Sequence, residues 1–219
     1  MKKKTSLTTR TVASGLCLLT DGSRRDFGYE GLQALSKSVS SKTMKKLNLH
    51  GCFRVCEHSI DALSSMKHLS SLVLSGCKSL SVEALAILLQ SSTRISNLSF
   101  ATCGECVSDK ILESVGNNLH GLKTLDLTDC VNVGRKGLKS LSQCSSLISL
   151  NLSGCKSVSN ESILAFGEGN FKPGIRELFL NRCVKLNDTA LTWIADSFKD
   201  RALSSGNVTL ITLALKGTK

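Results

Sequence analysis

The chain has 219 residues, of which 41% are hydrophobic and only 4% aromatic, and Pro173 is its single proline. This length suits one large domain or one short solenoid, and leucine must fill most of the core. No stretch approaches the roughly 18 consecutive apolar residues that a membrane-spanning helix requires. The net charge of +11 is concentrated at the N-terminus, because residues 1–54 carry 11 basic and 3 acidic residues, whereas residues 55–219 carry 17 and 14.

The first 20 residues are basic and rich in Ser and Thr, and no acidic residue precedes Asp21. This composition is typical of a mitochondrial transit peptide, and the apolar run at 12–19 also fits a short signal-peptide core. We prefer a third interpretation, in which Leu16 and Leu19 belong to a degenerate first repeat. Lys2, Lys3 and Lys4 then form part of a solvated basic tail.

Seven segments of the chain share the pattern L-x-x-L-x-L-x-x-C, with starts separated by 25 to 35 residues. They read MKKLNLHGC (44–52), LSSLVLSGC (69–77), ISNLSFATC (95–103), LKTLDLTDC (122–130), LISLNLSGC (147–155), IRELFLNRC (175–183) and LITLALKGT (210–218). The last segment replaces Cys by Thr, and an insertion around 202–207 precedes it. Such regular self-similarity predicts a stack of equivalent structural units.

The second half of each unit predicts a helix. Aliphatic residues lie eight positions after each Cys, and apolar partners follow three or four positions later. Ser81, Ser159 and Asn187 lie where a helix N-cap is expected. The alternation of the first half predicts a short strand with inward-facing leucines. Each unit is therefore a strand, a turn at Cys and a helix, and stacking gives an α/β solenoid with parallel strands on the concave face and helices on the convex face.

The strings SGC and TDC and the segment CVKLNDTALTWIA, in a repeat near 26 residues, resemble cysteine-containing leucine-rich repeats. These repeats are best known from F-box/leucine-rich-repeat ubiquitin-ligase subunits. The resemblance covers residues 44–219 and, more weakly, 16–43, and it implies a right-handed leucine-rich-repeat horseshoe or arc.

This interpretation divides the chain into three parts: a basic tail at 1–11, an irregular capping repeat at 12–43, and about seven repeats at 44–219. In the capping repeat, the register expects apolar residues at 16, 19 and 21 and finds Leu16, Leu19 and Asp21. The last repeat is a bare strand. Either the chain is truncated, or a partner or a second copy of the chain covers the exposed edge of that strand.

Six cysteines fall in one column of the repeat, where we expect buried, reduced thiols that hydrogen-bond to the turn. They are Cys52, Cys77, Cys103, Cys130, Cys155 and Cys183. A metal site is not expected, although His50, Cys52, Cys56 and His58 are close in sequence and Cys103 and Cys106 form a CxxC. His50 should face solvent and Cys52 the core. No catalytic or cofactor-binding motif occurs, so we expect neither enzyme activity nor a cofactor.

The outward strand positions are the predicted binding surface for a protein partner. Phe179 is the best candidate for an anchor, and the alternative is that it packs under the segment 199–209. Only Lys46 and Lys216 are basic on this face, so nucleic acid is not expected there and would bind through the N-terminus instead. The predicted partner-binding residues are Lys46, Asn48, His50, Val73, Asn97, Thr124, Asp126, Asn151, Glu177, Phe179 and Asn181.

The resemblance implies a substrate-recognition or adaptor protein of a ubiquitin ligase of the SCF type, in the cytoplasm or nucleus. One departure is that the F-box, which begins near a Leu-Pro, is missing, because no proline precedes Pro173. The alternative is a mitochondrial structural or assembly subunit, since small proteins of the ATP synthase coupling-factor-B type have similar repeats. The basic, acid-free first 20 residues favour this alternative.

Overall fold

The computed structural model describes residues 16–18, 28–38, 42–168, 175–205 and 212–217. The described strands form one parallel sheet in which each strand pairs with the next along the chain, in the order β1 to β8. Each strand has three residues: β1 Leu16–Leu18, β2 Lys46–Asn48, β3 Ser71–Val73, β4 Asn97–Ser99, β5 Thr124–Asp126, β6 Ser149–Asn151, β7 Glu177–Phe179 and β8 Thr212–Ala214.

A helix lies between each strand and the next. The helices are α1 Tyr29–Lys37, α2 Ile60–Ser65, α3 Val82–Ser91, α4 Asp109–Asn118, α5 Arg135–Leu141, α6 Asn160–Glu168 and α7 Asp188–Ser205. Short 3-10 helices at Glu57–Ser59 and Gly104–Cys106 precede α2 and α4. The predicted leucine-rich-repeat solenoid, with its sequential parallel sheet and one covering layer of helices, is therefore confirmed. Among the described residues, no helix is long and apolar enough to cross a membrane.

The core lies between the sheet and the helices. The central residue of each strand from β2 to β7 is a leucine exposed by 3% or less, and the strand register aligns these leucines in one row. The helices bury the predicted apolar partners against this row, including Leu63, Leu88, Val115 and Ile194. One unit cannot cover its own apolar side, so each repeat depends on its neighbours.

The turn after each strand is built in the same way in every repeat. The residue immediately before the Cys or Thr position has a left-handed backbone with φ between 57° and 76°, and Gly occupies this position in Gly51, Gly76, Gly154 and Gly217. The next residue, the column cysteine, is buried. Its thiol donates to a carbonyl of the preceding repeat: Cys77 to Leu49 O (3.3 Å), Cys103 to Leu74 O (3.0 Å), Cys130 to Phe100 O (3.2 Å), Cys155 to Leu127 O (3.1 Å) and Cys183 to Leu152 O (3.1 Å).

Two of the three predicted N-caps are confirmed. The Ser81 hydroxyl accepts from the Ala84 amide (3.1 Å), and Asn187 Oδ1 accepts from the Thr189 amide (3.1 Å). Ser159 also lies at the N-cap position, directly before α6, and its hydroxyl donates to Glu161 Oε2 at 2.6 Å.

The first unit differs from its predicted register. Leu16 pairs with Lys46 and Cys17 with Leu47, so Cys17, and not Leu19, lies at the position equivalent to the inward leucine of β2. The predicted register would have put Asp21 at an inward position, where an unpaired carboxylate is costly. The tail at 1–11 lies outside the described residues, and α7 extends the last repeat through Ser205 into the predicted insertion.

Candidate functional site

The side of the sheet opposite the helices is open and polar. In β2 to β7 the first and third residues of each strand are half-buried or exposed, and the second is buried. This alternation follows from the two-residue period of a strand. Lys46, Asn97 and His50 are exposed, and the other predicted partner-binding residues are half-buried.

A groove of about 160 Å³ lies on this face across β3 to β6. Its lining includes Leu72, Leu98 and Leu125, whose side chains are buried on the other side of the sheet, and several small polar residues. Four of the predicted residues line it, namely Val73, Asn97, Thr124 and Asp126. Ser71, Ser99 and Ser149 also line the groove. They occupy outward strand positions of the predicted surface, but they are not among the predicted partner-binding residues because their side chains are small.

Asp126 is the acidic residue that lines the groove, and its carboxylate is held in place by three donors. Oδ1 accepts from the Thr128 hydroxyl (2.6 Å) and from the Thr128 amide (3.0 Å). Oδ2 accepts from the Ser99 hydroxyl (3.1 Å), which also lies 2.8 Å from the Ser75 hydroxyl. A carboxylate offers about four lone-pair sites, so Asp126 retains capacity for a donor from a partner. The fixed orientation lowers the entropy cost of such a contact.

Asn48 and Asn151 have a local structural role as well as a place in the predicted surface. Each lies at the end of a strand, and its Oδ1 accepts from the amide two residues further on, at 2.9 Å for His50 and 3.0 Å for Ser153. This Asx turn shapes the chain after the strand. Asn181 is engaged at both ends, since Nδ2 lies 3.4 Å from Ser153 Oγ and Oδ1 accepts from the Lys216 amide at 2.7 Å.

The structure does not bring all eleven predicted residues together. Lys46, Asn48 and His50 lie at β2, before the groove, and Asn151, Glu177, Phe179 and Asn181 lie at β6 and β7, beyond the residues that line it. Phe179 is half-buried and pairs in register with Asn151 and Ala214. Its alternative contact with the segment 199–209 involves side chains outside those that the structure describes.

The cysteines contribute to the fold rather than to this face. Burial raises the pKa of Cys77, Cys130 and Cys144 to about 12 and that of Cys183 to about 11. Cys106 is half-buried, and a hydrogen bond with the Cys103 thiol lowers its pKa. His50 is exposed and Cys52 is buried, as expected. Within the described residues, no three His, Cys, Asp or Glu side chains are grouped closely enough to hold a metal ion.

Comparison with known proteins supports the repeat. A family model described as "Leucine Rich repeat" matches residues 118–142 and 143–167. The match covers two of the repeats, and the described strands, helices and thiol column have the leucine-rich-repeat architecture. Leucine-rich-repeat solenoids are generally non-catalytic scaffolds with extended concave binding surfaces.

Several solved structures are similar in fold at low sequence identity. The yeast Rad7–Elc1 complex matches at 17% identity over 80% of this chain and 38% of that chain, with a TM-score of 0.47. The tropomodulin C-terminal domain of Caenorhabditis elegans matches at 12% over 83% and 100%, with a TM-score of 0.47. Internalin C2 of Listeria monocytogenes matches at 14% over 86% and 92%, with a TM-score of 0.41. The chain thus spans well under half of the matched yeast chain.

Proposed function

We propose that the protein is a non-catalytic recognition module that binds a protein partner on the concave face of its sheet. The observation that carries the proposal is the groove across β3 to β6, which is lined by the oriented carboxylate of Asp126 and by small polar side chains. The remaining predicted residues, from Lys46 to Asn181, extend the same face on both sides of the groove. At about 4.8 Å per strand, β2 to β8 span roughly 29 Å, which accommodates an extended peptide.

The finer proposal is that the module recognises substrates or acts as an adaptor for a ubiquitin ligase of the SCF type. Its support is the resemblance of the cysteine-containing repeats to those of F-box/leucine-rich-repeat subunits. The 219 residues contain no recognisable F-box, so the support for this proposal lies in the repeats alone. The proposed location is the cytoplasm or nucleus, where thiols such as Cys130 and Cys155 stay reduced.

The alternative proposal is a structural or assembly subunit in mitochondria. The specific observation that favours it is the composition of the first 20 residues, which contain four Lys or Arg residues and no acidic residue. N-terminal sequencing of the protein isolated from its source cells separates the two proposals. Loss of roughly 15–40 residues supports import, whereas an N-terminus retained from residue 1 or 2 contradicts it.

The recognition surface is tested by comparing the proteins that wild type and Asn97→Arg capture from native lysate. Asn97 is exposed at the groove, so the longer charged side chain fills the space without disturbing the core. Glu113→Arg, on an exposed position of α4, is the matched control. We expect Asn97→Arg to lose a reproducible set of partners that Glu113→Arg keeps, with both variants melting as wild type does. Capture of the same partners by Asn97→Arg would contradict the proposed surface.

The identities of the partners that depend on the groove test the finer proposal. A ubiquitin-ligase scaffold in that set, together with partners whose abundance rises when the protein is depleted, supports the adaptor role. A set made up of subunits of one mitochondrial complex supports the alternative.

A further inference from the structure

The two rims of the solenoid differ in charge. The helix-to-strand rim, defined as the loops from each helix to the next strand, contains described residues 38, 42–45, 66–70, 92–96, 119–123, 142–148 and 175–176. These residues include no Asp or Glu. They include six Lys or Arg residues and two histidines, all exposed: Lys42, Lys45, Lys67, His68, Arg94, His120, Lys123 and Arg176.

The opposite rim, from each strand to the next helix, is mixed in charge. Its loops carry Arg54, Lys78 and Lys156 but also Glu57 and Asp129. Acidic residues occupy the first turn of most helices there, as Asp61, Glu83, Asp109, Glu161 and Asp188. The uniformly basic character is therefore a property of one rim and not of the whole surface.

The cations of the helix-to-strand rim have no anionic partner in the described part of the chain. The two ion pairs there are Lys110 with Glu83 and Arg182 with Asp129, and neither involves this rim. Lys67 Nζ reaches the Ser91 carbonyl at 3.4 Å, and Arg94 lies 3.4 Å from a ring nitrogen of His68. This contact has no carboxylate beside it among the described residues, so the charge of the Arg94 guanidinium is available to an external anion.

Helix dipoles explain only part of this arrangement. A cation near a helix C-terminus is stabilising, and Lys67 and Arg94 follow α2 and α3 closely enough to benefit. Lys45, Lys123 and Arg176 instead lie directly before β2, β5 and β7, outside the last helical turn. The strand register places these three in one row, because the residues that follow them, Lys46, Thr124 and Glu177, share a column.

We propose that the helix-to-strand rim binds an acidic, extended segment of a protein partner. From Lys45 to Arg176 the row crosses five strand spacings, or about 24 Å. An extended peptide covers at most about 3.4 Å per residue, so about eight residues are enough to follow the row. This rim lies beside the groove of the concave face. A partner would therefore make two contacts, one in the groove and one on the rim, and the rim contact requires negative charge on the partner.

The row fits an acidic peptide better than it fits nucleic acid. It is narrow, and its described residues contain no Phe, Tyr or Trp on which unpaired bases could stack. A duplex presents phosphates on two strands and calls for a broad basic surface. Ile148, 37% exposed in the same rim, suits an apolar side chain of a peptide.

The direct test is fluorescence anisotropy with a labelled oligo-glutamate peptide of about eight residues, sized to the row. The test variant is Lys45→Glu with Lys123→Glu, whose exposed side chains make no hydrogen bond within the described residues. The matched control is Lys78→Glu with Lys156→Glu, which changes the net charge equally but alters exposed lysines on the opposite rim. We expect at least about tenfold weaker binding for the test variant, less than about twofold for the control, and weakening with salt.

Three results would overturn the proposal. Equal losses of affinity for oligo-glutamate in the test and control variants would show that the peptide responds to net charge alone. Absence of oligo-glutamate binding by the wild type at low salt would show that the rim is not a binding site for acidic peptides. Tighter binding of oligothymidylate or of anionic vesicles than of oligo-glutamate, lost in the rim variant, would assign the rim to nucleic acid or membrane. Asn97→Arg, which adds a positive charge next to the rim, should bind oligo-glutamate at least as tightly as wild type does, so failure of the groove and failure of the rim are distinguishable.

Discussion

At the scale of single residues, the position before each column cysteine sets the geometry of the turn. Its left-handed backbone is free of strain for glycine but costs other residues about 1–2 kcal/mol, because Cβ approaches the carbonyl oxygen. Thr102, Asp129 and Arg182 occupy it with φ of 57° to 59°. Asp129 and Arg182 pair with each other at 3.2 Å. Thr102 is β-branched and exposed, so it is the least suited of the three.

Replacement of Thr102 by Gly should therefore stabilise the protein. The relief of backbone strain exceeds the entropy that glycine adds to the unfolded chain, and we expect the free energy of unfolding to rise by about 0.5–1 kcal/mol. Urea denaturation measures this change in the free energy of unfolding. The control is Thr93, which is exposed and whose φ is not positive, and Thr93→Gly should lower stability. A loss of stability in Thr102→Gly would show that the left-handed turn is not strained.

At the scale of elements, the thiol column joins successive repeats. From Cys77 to Cys183, each buried Sγ–H of the column donates to a carbonyl of the preceding repeat, so the column links repeats that are also linked by the sheet. Desolvation raises the pKa of Cys77 and Cys130 from 9.0 to about 12. These thiols stay protonated in the folded protein at a pH at which the unfolded chain has ionised.

The column therefore predicts a loss of stability in alkali. Because the pKa of these thiols is raised in the folded protein, their contribution to the free energy of unfolding is complete below about pH 9. It disappears as the pH rises to about 12. Each thiol that ionises only on unfolding adds about 1.4 kcal/mol per pH unit to the slope. Urea denaturation of wild type and Cys130→Ala across this range measures it, with Cys56→Ala, at a half-buried position, as control. Equal slopes in all three proteins would refute the prediction.

The sequence predicted the repeat well because stacking forces every unit to reuse the same positions. The inward leucines, the column cysteines and the helix partners such as Leu88 and Val115 follow from spacing alone. The groove did not follow from spacing, since it depends on several neighbouring side chains being small at once, as Ser71, Ser99 and Ser149 are. Phe179 is a predicted anchor because it is aromatic, but its strand, β7, lies beyond the strands that line the groove.

The first repeat shows the same limit. A pattern of apolar residues favours Leu16 and Leu19, but the pairing of β1 with β2 shifts the register by two positions. The basic rim does not follow from the strand columns for a related reason, because its charges lie in the loops before the strands. The charges of those loops form one basic rim only because the stacking of the repeats places Lys45 and Lys123 on the same side of the solenoid.

At the scale of the whole molecule, the solenoid separates stability from recognition. Leucines and cysteines hold the stack from within, whereas the open face of the sheet and the basic rim carry side chains that the fold does not need for its core. A partner that occupies the groove is expected to contact the adjoining outward columns, including Lys46 and Glu177. Substitutions there should change binding and leave stability within about 0.5 kcal/mol.

Site-specific photocrosslinking in cells tests the central claim, recognition by the concave face, most directly. A photoreactive amino acid replaces Thr124, in the groove, or Glu113, on the exposed side of α4, and the crosslinked proteins are identified by mass spectrometry. The proposed function predicts a discrete protein adduct from position 124 that is absent from position 113 and is lost when Asn97→Arg is added. Adducts from position 113 alone, or adducts from position 124 that persist in Asn97→Arg, would contradict it.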